Sequence, residues 1–235
     1  PTDFVRDKLI DNGFDKKQVK TLAYPLSVIP SEVEGSLRSR NKKPYILYAG
    51  RLSQEKGIEL LLKITKQLPN VNFKIAGTGP LHDEILHKTK SGSVIPAKTG
   101  IQGSQIKNNI ELLSFLTQQK LFEIIKQARI IIVPSLWYDP SPFAVLEAQA
   151  LGKVVIGSKM GGIQNLITNK KDGILLPVNL DNLDKTAKNW SKQINKIFND
   201  NKLIKQLGQS ASDTIKTRNN PEKFYKGLME IYTNI

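Results

Sequence analysis

The sequence predicts an α/β protein built on a doubly wound parallel sheet of about six strands. Two observations lead to this fold class. Short, almost wholly apolar runs recur along the chain, and the segments between them place apolar residues at helical spacing. Strands in parallel sheets are buried on both faces, and helices connect them. A chain of 235 residues can form one such domain with additional helices.

Each predicted element follows from its local pattern. Helices are predicted over 55–68, 118–128 and 141–151, and the chain from Leu180 onward is predicted to form three helical segments. In the first helix, Ile58, Leu61 and Leu62 share one face. The six predicted strands are 44–49, 71–76, 109–113, 129–134, 153–157 and 173–176.

The composition excludes several classes of protein. There is no cysteine, which excludes disulfides, zinc–thiolate sites and a cysteine nucleophile. The sequence has no run of about 18 apolar residues, and its first residues are too charged for a secretory signal. We therefore expect a cytoplasmic protein. His82 and His87 are five residues apart, which does not place them on one helix face, so we expect surface side chains and no metal site.

The net charge narrows the choice of partner. Thirty-five Lys and Arg residues against 21 Asp and Glu residues give a net charge of +14. This balance suits phosphorylated ligands, an anionic membrane surface or nucleic acid. Only six of the basic residues are Arg, whereas specific nucleic-acid readers favour Arg and aromatic side chains. The composition therefore disfavours nucleic acid and leaves a phosphorylated ligand or peripheral attachment to the inner face of the membrane.

Two turn-rich stretches, 27–40 and 92–107, interrupt the α/β pattern. Both contain the tetrapeptide Ser-Val-Ile-Pro. Loops this long are uncommon in compact domains, but surface loops tolerate insertions. We predict two exposed, poorly ordered insertions without chemistry; ordinary loops are the alternative. The predicted organisation is an interdomain segment at 1–43, an α/β domain at 44–200 and terminal helices at 201–235.

Three polar segments follow predicted strands, where an open parallel sheet binds its ligands. The first is GRLSQEKG at 50–57. Gly50 permits a tight turn, and Arg51 and Lys56 then converge beside a helix N-terminus. Such a pair suits a diphosphate, although surface charges at the start of a helix are the alternative. The second segment, GTGP at 77–80, lets the backbone pass close to a ligand, but such turns are usually structural.

The third segment, PSLWYDPSPFAVLEA at 134–148, is the most informative. A Pro-rich loop enters a helix, and the free amides at 143–145 favour an anion. Asp139 and Glu147 lie eight residues apart, about 12 Å along a continuous helix. They can therefore bracket a ligand and accept bonds from sugar or ribose hydroxyls. Alternatively, Asp139 caps the helix and Glu147 is a solvated helix residue.

Taken together, these motifs resemble the carboxyl-terminal, donor-binding domain of a family 4 glycosyltransferase with the GT-B fold. The resemblance rests on GR–EKG, GTGP, PSLWYDPSPFAVLEAQALGK and GSKMGGIQNLI, in that order. It covers about residues 44–200 and implies a Rossmann-like domain that binds a nucleotide-sugar. The donor would be a UDP-, GDP- or ADP-sugar, with no further cofactor.

The resemblance assigns roles by position. It implies that Arg51 and Lys56, after Gly50, hold the donor diphosphate. It implies that Glu147 accepts from the ribose and that Asp139 contacts the transferred sugar. Transfer would proceed with retention and without an essential metal, because cations stabilise the leaving diphosphate.

The same resemblance implies further binding residues. The amides of Phe143, Ala144 and Val145 would meet the diphosphate and sugar. The base would lie at Ser114, Phe115 and Leu116.

The sequence departs from the family pattern at several places. Asp139 replaces the usual Glu, Gln164 and Asn165 stand after Gly-Gly where Pro and Glu are usual, and Ser114 replaces a common Gly. The amino-terminal acceptor domain has no counterpart in the chain. We therefore expect no transfer without that domain, and we expect the chain to be a fragment of a longer gene, one half of a split enzyme whose acceptor domain is separately encoded, or a decaying copy. The alternative is a degenerate, non-catalytic module that acts through protein interaction or basic-surface membrane binding.

Overall fold

The computed structural model describes residues 2–26, 43–89, 105–107 and 109–233. Seven strands form one sheet in the order β3-β4-β2-β1-β5-β6-β7, parallel except for β3, which pairs antiparallel with β4. The strands are β1 Tyr45–Ala49, β2 Asn72–Ala76, β3 Gln105–Lys107, β4 Ile110–Leu113, β5 Ile130–Val133, β6 Val154–Ser158 and β7 Ile174–Leu176. The predicted doubly wound, Rossmann-like class is confirmed.

Helices cover both faces of this sheet. They are α1 Asp3–Asp11, α2 Ile58–Gln67, α3 His82–Thr89, α4 Gln118–Gln127, α5 Phe143–Ala150, α6 Ile163–Leu166, α7 Leu183–Phe198, α8 Asn201–Arg218 and α9 Pro221–Thr233. None of the helices in the described ranges is long and apolar enough to span a bilayer.

Two apolar clusters, one on each face of the sheet, form the core. On one face α2 and α7 pack against the strands, and Trp190 is fully buried there while its indole N–H donates to the carbonyl of Pro177 at 2.9 Å. On the other face α4, α5 and Ile215 of α8 cover the strands. Because parallel strands are buried on both faces, β1, β5 and β6 read as continuous apolar runs.

The order in which the chain adds strands to the sheet reverses between β1 and β5, although the two strands are parallel. The chain moves outward through β2 and β4 on one side, and through β6 and β7 on the other. In such sheets a crevice forms outside the carboxyl ends of the two strands at the reversal, where neighbouring loops diverge. The loops after β1 and β5 therefore form the crevice in which a ligand is expected.

The predicted insertions have different outcomes. The stretch 27–40 lies outside the described residues, as does 92–104. The end of the second stretch forms β3, although the sequence pattern predicts an irregular loop there. The antiparallel pairing of Gln105–Lys107 with Ile110–Leu112 supplies hydrogen bonds that a three-residue sequence pattern cannot reveal.

The terminal segments pack onto the α/β domain. The hydroxyl of Thr2 donates to the carbonyl of Pro140 at 2.7 Å, and Leu26 N donates to the carbonyl of Asn219 at 3.1 Å. Arg218, at the end of α8, donates to the carbonyl of Leu166 and to Gln149 Oε1, both at 2.9 Å. Segments from both ends of the chain thus support α5 and its preceding loop.

Gly57 provides a test of how the two crevice loops are joined. Its φ is +76°, and a Cβ there would lie 1.8 Å from the carbonyl oxygen of Pro134. We expect Gly57→Ala to destabilise the chain by at least about 3 kcal/mol, because backbone strain and a backbone clash add. Urea unfolding at 25 °C measures this cost.

Gly13→Ala is the matched control. Gly13 has a φ of +95°, but a Cβ at this position would meet no atom within 4 Å, so only the strain of about 1 kcal/mol is expected. Equal losses for the two variants would contradict the close approach of the loops.

Candidate functional site: a crevice at the carboxyl edge of the sheet

The loop after β1 lies against two neighbouring loops. Gly50 N donates to the carbonyl of Ala76 at 3.0 Å, and Leu52 N donates to the carbonyl of Thr78 at 2.8 Å. The buried hydroxyl of Tyr48 donates to the carbonyl of Arg51 at 2.6 Å, and burial raises the pKa of this phenol. These bonds fix the backbone from which the Arg51 side chain projects into solvent.

The GTGP turn is explained by these neighbouring loops. A Cβ at Gly77 would lie 1.9 Å from the carbonyl oxygen of Gly50, and one at Gly79 would lie 2.5 Å from that of Leu52. Both glycines have positive φ. The sequence pattern allows either a ligand or another part of the chain to pass close to these glycines. In the structure it is the loop after β1 that does so, which supports a structural role for this turn.

The loop after β5 is held on both sides. Leu136 N donates to the carbonyl of Glu55 at 2.9 Å, which ties this loop to the one after β1. On its other side Gly162 N donates to the carbonyl of Asp139 at 2.7 Å, and a Cβ at Gly162 would lie 2.0 Å from the carbonyl oxygen of Pro140. Only a glycine fits there, so Gly161–Gly162 before α6 support the loop that carries Asp139.

Lys56 and Asp139 form an ion pair across the crevice. Lys56 Nζ lies 2.5 Å from Asp139 Oδ2; the lysine side chain is 34% exposed and the carboxylate side chain 9% exposed. The sequence motifs place these groups on separate parts of a ligand and do not predict their contact. The signal is absent because these two residues, whose positions differ by 83 in the chain, are brought together only by the order of the strands.

Arg51 is an exposed cation of this crevice. Its guanidinium forms no ion pair with any residue that the structure describes. Nearby, the hydroxyl of Ser53 donates to Glu55 Oε1 at 2.5 Å; this bond, with smaller contributions from Arg51 and Lys56, lowers the pKa of the Glu55 carboxyl. The site thus keeps a positive charge that is available to an anion.

The N-terminus of α5 offers fewer free amides than expected. Val145 N donates to the carbonyl of Pro142 at 3.1 Å, and the Val145 side chain is fully buried. The expectation that the Val145 amide points outward is therefore corrected: the first turn of the helix uses it internally. The amides of Phe143 and Ala144 have no backbone partner among the described residues, and the Phe143 ring is 54% exposed.

Glu147 lies one turn further along α5, where it is half-buried. Burial raises the pKa of its carboxyl. Within the described part of the chain its carboxylate accepts no hydrogen bond. A carboxylate that has lost part of its hydration without gaining a protein donor is well suited to accept bonds from ligand hydroxyls.

The segment predicted for the base follows β4. Phe115 is 77% exposed, whereas Leu116 packs against the core and Ser114 is half-buried. Phe115 thus presents an apolar ring at the carboxyl edge. Across the described ranges, no group of three or more His, Cys, Asp or Glu side chains is placed to hold a metal ion. His82 and His87 both lie on α3, where His82 is half-buried and His87 is exposed.

The comparisons with known proteins give the family. The family described as "Glycosyl transferases group 1" matches residues 31–214. The chain belongs to this family, and its fold is that of the carboxyl-terminal domain of a GT-B glycosyltransferase. The finer assignment to family 4 stays a prediction.

Individual relatives agree in fold and family. An uncharacterised glycosyltransferase of Methanocaldococcus jannaschii is 27% identical over 66% of this chain and 38% of its own length. The alpha-maltose-1-phosphate synthase of Mycolicibacterium smegmatis is 22% identical over 98% of this chain and 57% of its own. The crystal structure of Anabaena HepE in complex with UDP superposes with a TM-score of 0.79 at 17% identity and covers 100% of this chain and 62% of HepE. The chain thus spans about two fifths to three fifths of these proteins.

Glu147→Gln tests the burial of the carboxylate. A raised pKa in the folded state means that ionised Glu147 destabilises the fold, so stability is fully present below the unfolded-state pKa of about 4.3 and is lost as the pH rises through the higher folded-state pKa. The neutral amide should raise the melting temperature at pH 7, because it removes the cost of burying the charged carboxylate.

This gain should shrink as the pH is lowered from 7 towards 4, where wild-type Glu147 is protonated. Calorimetric melting curves across that range measure it. Glu222→Gln makes the same substitution at an exposed position of α9 and is the control, for which no such gain is expected. A gain at position 147 that is independent of pH would contradict the account.

Proposed function

We propose that the chain is the donor-binding half of a glycosyltransferase and that this crevice binds a nucleotide-sugar through its diphosphate. The observation that carries the proposal is that Arg51, Lys56 and the start of α5 belong to the loops that follow β1 and β5, at the point where the order of the strands reverses. This is the place where a diphosphate is expected in a doubly wound sheet.

The remaining parts of the donor follow from the side chains around the crevice. Glu147 would accept from the ribose hydroxyls, since its carboxylate is half-buried and has no hydrogen-bond donor among the described residues. Phe115 would lie against the base. Asp139 would accept from the sugar. The structures of Anabaena HepE with UDP and with UDP-glucose support a nucleotide-sugar as the ligand class.

We propose that transfer retains the anomeric configuration and needs no metal, with Arg51 and Lys56 stabilising the leaving diphosphate. Acceptor groups would come from a second domain. Support for this domain comes from the exposed aromatic side chains of Trp137 (65% exposed) and Tyr138 (56% exposed) beside the crevice. Apolar surface of this kind is typical of an interface. Basic-surface attachment to an anionic membrane is a further proposal that rests on the net charge of +14.

Thermal unfolding with nucleotides tests the donor proposal. UDP, GDP and ADP would each be added at millimolar concentration. A ligand at 100 times its dissociation constant stabilises the folded chain by about 2.7 kcal/mol, which corresponds to several degrees. We expect a shift with one of the three nucleotides. A cooperative transition that none of them moves would contradict the proposal and favour a non-catalytic module.

Arg51→Ala tests the diphosphate contact itself. A charged hydrogen bond contributes about 1.5–3 kcal/mol, so affinity for the stabilising nucleotide should fall about tenfold or more. Titration calorimetry measures the loss. Lys66→Ala removes another exposed cation, at the far end of α2 and about 12 Å along the axis from Ile58, and should leave affinity within twofold. Equal losses for both variants would indicate general charge attraction and overturn the assignment.

A further inference from the structure

A bound diphosphate would compete with the Asp139 carboxylate for the ammonium group of Lys56. Asp139 is almost fully buried, and Lys56 is the cation that contacts it. A buried carboxylate that loses its counterion is strongly unfavourable. A diphosphate that attracts Lys56 therefore weakens the interaction on which Asp139 depends.

The two side chains differ in their freedom to follow a ligand. Asp139 is fixed through its backbone, because its N–H donates to the carbonyl of Trp137 at 2.8 Å and its own carbonyl accepts from Gly162 at 2.7 Å. Lys56 has a long flexible stem and is 34% exposed. When a diphosphate binds, Lys56 can move towards it while the carboxylate stays in place.

We propose that Asp139 makes the site select the sugar nucleotide over the free nucleoside diphosphate, through an exchange of partners. The inference rests on the proposed function. The diphosphate takes Lys56 from Asp139, and a hydroxyl of the sugar then donates to the carboxylate in its place. A nucleoside diphosphate without a sugar takes Lys56 but offers no such donor, so it leaves Asp139 buried and unpaired. The same pair thereby favours departure of the nucleoside diphosphate after transfer.

The exchange predicts opposite effects of one substitution on two ligands. Asn at position 139 has no charge to leave unpaired, so Asp139→Asn should tighten binding of UDP. The neutral amide of Asn is also a poorer acceptor for the sugar hydroxyl than a carboxylate is, so UDP-glucose should bind the variant more weakly. We expect the affinity for UDP-glucose, divided by the affinity for UDP, to fall by about tenfold or more. This is the size expected when a buried charged contact is lost.

Titration calorimetry with UDP and UDP-glucose on the whole chain tests the exchange. Wild-type, Asp139→Asn, Lys56→Gln and the double variant would be compared, after melting curves show that each unfolds cooperatively. In the Lys56→Gln background no counterion is exchanged, so Asp139→Asn should alter UDP affinity by no more than about threefold.

Each outcome decides between the two proposals. If wild-type binds neither ligand, the same comparison is made with GDP and GDP-glucose and with ADP and ADP-glucose; if it binds none of these, the proposed function fails and the exchange fails with it. If wild-type binds both, but Asp139→Asn changes both affinities by the same factor, donor binding stands and the exchange is wrong. If Asp139→Asn changes the affinity for UDP as much in the Lys56→Gln background as in wild-type, the change does not act through the ion pair. The exchange is then likewise overturned.

Discussion

The site depends on the close approach of backbone segments at the carboxyl edge of the sheet. Gly57 contacts Pro134, Gly77 contacts Gly50, and Gly162 contacts Pro140, each at a distance that a side-chain methyl would prevent. The first of these contacts, together with the bond from Leu136 N to the carbonyl of Glu55, packs the loops after β1 and β5 directly against each other. The Lys56–Asp139 ion pair and the start of α5 are then held in a fixed relation by the backbone itself.

Much of the fold could be predicted from the sequence, because local pattern and tertiary position agree. The apolar run at 129–134 and strand Ile130–Val133 coincide to within a residue at each end, as do the other five predicted strands. β3 could not be predicted, because its three residues pair only through β4. α3 was missed because its short, mixed sequence HDEILHKT carries little helical periodicity, and its helical form is supported by Ile85 in the core.

The candidate site was predictable in its components but not in its internal contacts. Sequence motifs identify Arg51, Lys56, Asp139 and Glu147 as polar residues after strands. They do not show that Lys56 and Asp139 pair, that the Val145 amide is used inside its helix, or that the GTGP glycines face a neighbouring loop. Each of these features depends on distances between loops, which the order of strands sets and no local pattern encodes.

A crystal structure of the chain with UDP-glucose would show whether these interlocked loops form a diphosphate site. We expect the β-phosphate to lie within hydrogen-bond distance of Arg51, of Lys56 and of the Phe143 or Ala144 amide. We also expect that Glu147 accepts from the ribose and that the loop backbones stay in place. A nucleotide bound elsewhere, or one whose phosphates avoid Arg51 and the start of α5, would contradict the diphosphate site.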